Sequence, residues 1–537
     1  MIVLGDISGI QNYLFDVSDA GGGQAQRLRA RSFYVQILAE AAALRVLGQL
    51  GWPSDENHFV LSGAGKFLLK GNANSTSDVK LTEVADELAS WLLTELRGEL
   101  RIAIAWDDHG SDAIAYSNAS KALREAKLRP RFPRGAWDPS RLVLPPLGRP
   151  CDLCGHATAV KKELDDETDE VREVCSRCAA DRAQGRRLPR ARWLLFRRSA
   201  ESARDQDVFG LDAQVRTDEQ ITTTPDVVGV ANLAAPDERP QWCPPGRFLR
   251  RRFTAHVPAN TEGKPVWFVE LARKATGDQL LGVLKADADS LGVAFGKLLE
   301  ADEGIEPLVT FSRELDEFFG GHLQDAIRSD QRWQSVYTVF GGGDDLLLVG
   351  PWNVMFDFAA HVRELFQRGF GQRNLTLSAG LALTKPKRPI KAAAAEAERL
   401  LERAKSEQGI GASDAKDQFA VFGACWKWEH HAGVAREGTR LVNWVNKGEF
   451  RRGWLHTLLD LAEMRQGATA IGTRPDPRAT ARLAAHVERN YRRNSEPRRW
   501  GERLVERFDA VNDPEVRLVP VALRYALTAT RTPNEEE

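Results

Sequence analysis

Apolar residues along this chain follow two rhythms, and the same series of rhythms occurs twice. Short apolar runs ending in glycine or a charge predict strands at Ile2–Leu4, Phe59–Leu61, Phe67–Leu69 and Ile102–Trp106. A second set lies at Leu281–Leu284, Tyr337–Phe340, Leu346–Val349 and Leu375–Ala382. Residues 33–50, 81–100 and 353–368 have helical periodicity, and 390–406 is rich in alanine and other strong helix formers. Each copy reads strand, helix, strand, glycine turn, strand, helical segment, strand, and ends in a helix carrying Ala126-Lys127 or Ala404-Lys405. Glycine turns between apolar strands are hairpin signals. The pattern predicts two α+β units, each an antiparallel sheet with helices on one face, of the ferredoxin-like kind.

The rest of the chain predicts other pieces. Residues 130–150 are rich in proline, arginine and glycine and predict a linker. Residues 180–275 mix short strands with charged loops. After about 425 the pattern is helical, with a tryptophan-rich start at Cys425–Trp428 and further helices at 453–467, 479–493 and 516–528. Four domains follow: 1–130, 131–275, 276–425 and 426–537.

The length of 537 residues agrees with several domains. A net charge of -1 neither announces nor excludes a nucleic-acid partner, since a local basic groove vanishes in a whole-chain sum. No stretch is apolar enough for a membrane span, and the first residues lack a targeting pattern, so a cytoplasmic location is expected.

The candidate chemistry sits in the second copy. Asp287 ends an apolar strand, and Asp344 and Asp345 occupy the turn after Gly341-Gly342-Gly343. Neighbouring strands would bring these carboxylates together at one end of a sheet. Clustered carboxylates stay ionised only with a cation among them, and Mg²⁺ or Mn²⁺ suits oxygen ligands. Such a site, formed by Asp287, Ala288, Asp344 and Asp345, can activate a 3′-hydroxyl and stabilise a pyrophosphate leaving group. Asp289 either joins them or hydrogen-bonds locally. Ser290, Leu291 and Gly292 open a helix whose amides suit phosphate oxygens, and Lys405 is a triphosphate candidate. Gly342, Gly343 and Ser378 complete the expected nucleotide-binding set.

The first copy has Gly63-Ala64-Gly65-Lys66 in place of the acidic turn, leaving Asp6 alone. One carboxylate facing a lysine cannot hold a metal pair. This unit is expected to be catalytically empty but able to grip a second nucleotide through Ser8, Gly9 and Lys66. Between the copies, Cys151-x2-Cys154 and Cys175-x2-Cys178 have the spacing of a closed four-thiolate zinc site. Three basic stretches are ambiguous. Arg27, Arg29 and Arg31 face either a phosphate backbone or solvent. Arg247 and Arg250–Arg252 form a second cluster, and Lys385-Pro386-Lys387-Arg388 could line the nucleotide site.

Gly5-Asp6-Ile7-Ser8-Gly9-Ile10-Gln11 and Leu28–Phe33 resemble the opening of the first palm of Cas10, the large subunit of type III CRISPR effectors. Leu284–Gly292, Gly342–Asp345, Leu377–Gly380 and Ala397–Lys405 resemble its second palm, and the cysteines sit where that family places its zinc. The resemblance implies two cyclase-type palms, the first degenerate and the second with a Gly-Gly-Asp-Asp site. It also implies a zinc-bearing linker domain and a helical C-terminal domain. It implies metal-dependent conversion of ATP to cyclic oligoadenylate, triggered by target RNA bound through a guide-RNA complex. Implied partners are the small subunit, the guide-RNA-holding backbone subunits, guide RNA and target RNA, with no membrane. The chain opens directly at the first palm, so the His-Asp nuclease of many family members is expected to be missing. A silent scaffold subunit, or a palm enzyme making a cyclic dinucleotide or another adenylated product, would use the same residues.

Overall fold

The structure, a computed structural model, describes residues 1–15, 24–63, 65–129, 148–155, 157–164, 170–198, 206–218, 221, 225–251, 256–262, 264–300, 304–343, 345–469 and 476–532. Asp344, Arg252, the Gly21–Gly23 segment and most of the expected linker lie outside the described residues.

The first unit runs β1 (Ile2–Ser8), α1 (Ile10–Phe15), α2 (Gln24–Leu50), β2 (Phe59–Gly63), β3 (Lys66–Lys70), α3 (Ser77–Leu96), β4 (Arg101–Asp107) and α4 (Asp112–Leu128). Its antiparallel sheet has the order β2-β3-β1-β4, the arrangement of a βαββαβ unit.

The middle segment holds the hairpin β5 (Lys161–Leu164) and β6 (Val171–Val174), then α5 (Ser176–Arg187). It continues with β7 (Trp193–Arg198), β8 (Asp207–Val208), β9 (Leu211–Arg216), β10 (Val227–Asn232) and α6 (Phe268–Arg273). Strands β7 to β10 form a four-stranded sheet of order β10-β7-β9-β8.

The second unit contains β11 (Leu281–Ala288), α7 (Leu291–Glu300), α8 (Glu306–Glu317), α9 (Leu323–Ser329), β12 (Tyr337–Gly342) and β13 (Asp345–Pro351). It goes on through α10 (Trp352–Phe370), β14 (Leu377–Thr384), α11 (Ile390–Ser406), β15 (Gln418–Val421) and β16 (Ala424–Lys427). Its six-stranded sheet, β12-β13-β11-β14-β15-β16, repeats the first unit's order in its first four places. The tryptophan-rich segment expected to open the helical region is instead strand. Trp426 is fully buried opposite Phe419 across the β15–β16 ladder, so alternating burial outweighs helical tendency there. The sheet therefore runs past position 425, and helices begin at α12 (His431–Asn446).

Helices α13 (Arg452–Thr469), α14 (Pro477–Asn490), α15 (Glu496–Arg507) and α16 (Pro514–Ala529) complete a C-terminal bundle. Asp476, Ser495 and Asp513 cap the last three, each followed by proline in the first turn. Among the described residues no helix is long and apolar enough to cross a membrane.

One apolar core joins α2 of the first unit, the middle sheet and one face of the second sheet, including Val283, Leu347 and Val349. The opposite face packs on α8, α9 and α10 through Leu284, Ala286 and Leu346. Arg27, Arg29 and Arg31 of α2 are buried in this seam and face neither solvent nor an open groove. Arg29 donates to the Tyr337 hydroxyl (3.2 Å) and to Gly185, and Arg31 pairs with buried Asp181 (3.2 Å). Arg27 is fully buried, and its guanidinium has no hydrogen-bond acceptor among the described residues. Acceptors distant in sequence place Arg29 and Arg31, which residues 27–31 alone could not reveal.

Candidate active site

Side chains at alternate positions of β11 share a face, so Val283, Lys285 and Asp287 project together. Val283 lies in the apolar core and Asp287 at the end where that cover stops. In the β11–β13 ladder Asp287 is the register partner of Asp345. Antiparallel partners have Cα atoms about 5 Å apart and side chains on one face. Gly342 pairs with Asp345, so the connection between β12 and β13 is two residues long. Gly343 has φ of 65°, the left-handed conformation that two-residue hairpin turns require. Asp344 itself lies outside the described residues.

Two lysines meet the carboxylates. Lys405, on α11, contacts Asp287 directly. Helix α11 approaches closely because β14 has Gly380 beneath it: a Cβ there would come within 2.4 Å of the Leu401 amide nitrogen. Lys285 is buried two positions before Asp287; its ammonium contacts Glu398 of α11 and lies 3.7 Å from Asp345. Gln11 of the first unit donates to the same Glu398 (3.3 Å).

Asp289 makes local hydrogen bonds. It is buried and accepts from Thr376 (2.8 Å), Ser378 (2.9 Å) and the Asp417 amide (3.0 Å). This corrects the expectation for Ser378: its hydroxyl is buried and donated to Asp289, so it holds the loop after β11 and does not face a nucleotide. Ala288 is buried and has only its backbone carbonyl to offer a metal. Ser290 is exposed with φ of 60° and, with Leu291 and Gly292, forms the start of α7. The Lys385–Arg388 stretch is misplaced for the expected role. Ser378 faces Asp287 across the ladder, and Lys385 lies seven positions further along β14, about 23 Å away at the opposite end of the sheet.

A cavity of about 840 Å³ separates the two units, with Asp6 and Lys66 on one side and Gly342 and Asp345 on the other. Helix α8 bridges the hairpins beside it. Asp316 accepts a hydrogen bond from the Gly343 amide (2.8 Å), and its carboxylate lies against Gly63 of the first hairpin. Three residues earlier, Arg313 donates to the Val60 carbonyl (2.9 Å). Arg250 and Arg251 also line the cavity, where Arg251 pairs with Glu40 (3.2 Å).

The first unit repeats the geometry with different chemistry. Asp6 is the register partner of Lys66, as Asp287 is of Asp345. Lys127 of α4 bonds Asp6 (2.8 Å), as Lys405 contacts Asp287. Ser8 and Gly9 open onto a different cleft, of about 1190 Å³, together with Arg101 and Lys127. Lys66 and the Ser8-Gly9 pair therefore do not surround one pocket.

Cys151, Cys154, Cys175 and Cys178 form a four-cysteine cluster whose sulfurs all lie within 4.8 Å of one another. Cys175 caps α5 and accepts from the Cys178 amide (3.4 Å), while Cys151 accepts from the Cys175 amide (3.2 Å). Sharing a hydrogen bond with Cys154 pushes the Cys175 thiol up to about 11. A bound cation would reverse that shift.

Residues 280–417 match the model of the Cas10/Cmr2 second palm domain, and residues 1–129 match Csm1 subunit domain B. A CRISPR system single-strand-specific deoxyribonuclease Cas10/Csm1 (subtype III-A) of Thermococcus onnurineus is 26% identical over 516 residues, 86% of this chain and 62% of the relative. Its counterpart in Mycobacterium tuberculosis is also 26% identical, over 85% of this chain and 59% of the relative. Both matched domains and both relatives are of the Cas10/Csm1 kind, and the chain is similar to that family along most of its length. It spans about three fifths of the length of these relatives. A Csm1–Csm4 cassette solved in complex with one ATP shares the fold of this chain, with TM-score 0.73 and 21% identity over 99% of this chain and 70% of that one. The cassette in complex with cA4 gives TM-score 0.72 at 20% identity, again over 99% of this chain and 70% of that one.

The local sequence pattern did not mark Lys285, Glu398 and Asp316 as site residues. A lysine two positions before a strand-end aspartate was the available signal for Lys285. Nothing local marked Asp316, which lies 27 residues before the turn it holds.

Proposed function

We propose that the chain converts ATP to cyclic oligoadenylate by 3′–5′ nucleotidyl transfer, as the large subunit of a type III CRISPR complex. The observation that carries this reading is the Asp287–Asp345 register pair, whose Asp345 lines a cavity between two like units. Relatives crystallised with ATP, pppApA and cA4 share the fold and so support it. The second unit acts as a cyclase-type palm, and the first as a palm without catalysis. The domain borders are 1–130, 131–275, 276–425 and 426–537, with the last sheet strand crossing the third border.

Mg²⁺ or Mn²⁺ held by Asp287, Asp344, Asp345 and the Ala288 carbonyl would neutralise phosphate oxygens and acidify the attacking 3′-hydroxyl. The chain's own groups do the positioning. Amides at Ser290, Leu291 and Gly292 and the Gly342-Gly343 backbone receive phosphate oxygens. Lys405 passes from Asp287 to the triphosphate. Lys66 presents positive charge from the facing hairpin, and Ser8 and Gly9 contact nucleotide in the second cleft. The four-cysteine cluster fits zinc: its Cys154–Cys175 sulfur separation of 3.9 Å is near the ~3.8 Å of a tetrahedral site with Zn–S of ~2.3 Å. Zinc there would stabilise a charged hairpin that has little core of its own.

A Csm4-like subunit, the small subunit, the backbone subunits, guide RNA and target RNA would be the partners. Mass spectrometry of products from ATP with Mg²⁺ or Mn²⁺, with and without the guide-RNA complex and target RNA, tests the reading. Cyclic oligoadenylate supports it; linear or dinucleotide products alone would replace it.

A further inference from the structure

From the sequence of α14, its turn and α15, we infer that the C-terminal bundle carries a binding surface for the phosphodiester backbone of a single-stranded nucleic acid. Residues 477–507 hold nine arginines and no lysine, against four glutamates, in a chain whose net charge is -1. Arg478, Arg498 and Arg507 are taken up by neighbouring carboxylates. Arg489, Arg492, Arg493, Arg499 and Arg503 are exposed and have no ion pair among the described residues. They are not scattered. Arg489 lies at the end of α14, Arg492 and Arg493 lie in the turn, and Arg499 and Arg503 lie one helical turn apart on α15. The start of α15, capped by Ser495, adds its positive end to the same corner.

Uncompensated charge of this density costs self-repulsion, which an anionic partner removes. The chemistry favours phosphate over an acidic protein surface. Guanidinium forks bind phosphate oxygens in pairs, and the segment uses arginine only. A protein interface would also need an apolar centre, and none of the exposed large hydrophobic side chains falls within 477–507. The surface is remote in sequence from the carboxylate site and rests on nothing proposed there.

The test is fluorescence anisotropy of the full chain with a labelled single-stranded RNA and with DNA of the same length, across a salt series. The parent is expected to bind with log affinity falling steeply against log salt. Replacing Arg492, Arg493, Arg499 and Arg503 by glutamate is expected to weaken binding at least tenfold and to flatten the slope by about 3, for four lost contacts. Glutamine at the same positions, with an unchanged melting temperature, separates loss of charge from loss of fold and should flatten the slope equally. Tighter binding of RNA than of DNA would identify RNA as the partner, and equal binding a general polynucleotide surface. Equal affinity and slope for parent and both variants would overturn the inference. So would binding of an acidic protein but neither nucleic acid.

Discussion

Asp287 and Asp345 are register partners in adjacent antiparallel strands, and the equivalent partners in the first unit are Asp6 and Lys66. One architecture thus presents two carboxylates in one place and a carboxylate opposite an ammonium in the other. A divalent ion needs the first arrangement and is repelled by half of the second.

The turn that leads into Asp345 is held by Asp316. Asp316→Ala removes the acceptor of the Gly343 amide and is expected to lower kcat about 10²-fold with KM little changed. Asp316→Asn retains an acceptor oxygen and should stay within a few fold of the parent. Steady-state ATP turnover of both variants checks this; equal loss in both would assign the effect to charge instead.

Lys285 places a buried positive charge beside Asp345 and Glu398. Its removal makes the site more negative. Lys285→Met should lower the Mg²⁺ concentration for half-maximal activity, on the order of tenfold, while reducing stability through the unpaired Glu398. A metal titration of turnover, with a thermal melt beside it, separates the two effects. A higher Mg²⁺ requirement would contradict the electrostatic role.

His431 is buried among Phe356, Phe419, Trp426 and Trp428, where the sheet meets the bundle. Burial lowers its pKa to about 4. Between pH 6.5 and 4 the unfolded chain therefore binds the proton that the folded chain refuses. Stability is complete above about pH 6.5 and falls by roughly 2–3 kcal/mol as pH drops to 4. Denaturant melts across this range should show that loss in the parent, and His431→Phe should flatten it.

The cluster of Cys151, Cys154, Cys175 and Cys178 should hold about one zinc per chain, detectable by elemental analysis of native protein. Cys154→Ser is expected to lose the metal and to expose the 148–187 region to protease first, since its β5–β6 hairpin has few buried side chains.

Much of this arrangement was legible because it rests on local pattern. Apolar alternation in Leu281–Leu284, the glycines before Asp344 and the alanine-rich 390–406 segment each determine their own element. Their repetition after Ile2 exposed the two units. What was hidden depends on contacts across the fold. Arg27, Arg29 and Arg31 read as a basic stretch until Asp181 and Tyr337 supply their surroundings. Ser378 reads as a ligand contact until Asp289 takes its hydroxyl. The Cys425–Trp428 segment has too few residues for periodicity to decide, and pairing with β15 makes it strand as far as Lys427.

The most direct test compares Asp287→Asn with Asp6→Asn in the target-RNA-loaded complex, measuring cyclic oligoadenylate formed from ATP. The account predicts loss of product by at least about 10³-fold for Asp287→Asn. It predicts retention within about tenfold for Asp6→Asn, with both variants assembling normally. Equal product from Asp287→Asn and the parent would contradict it.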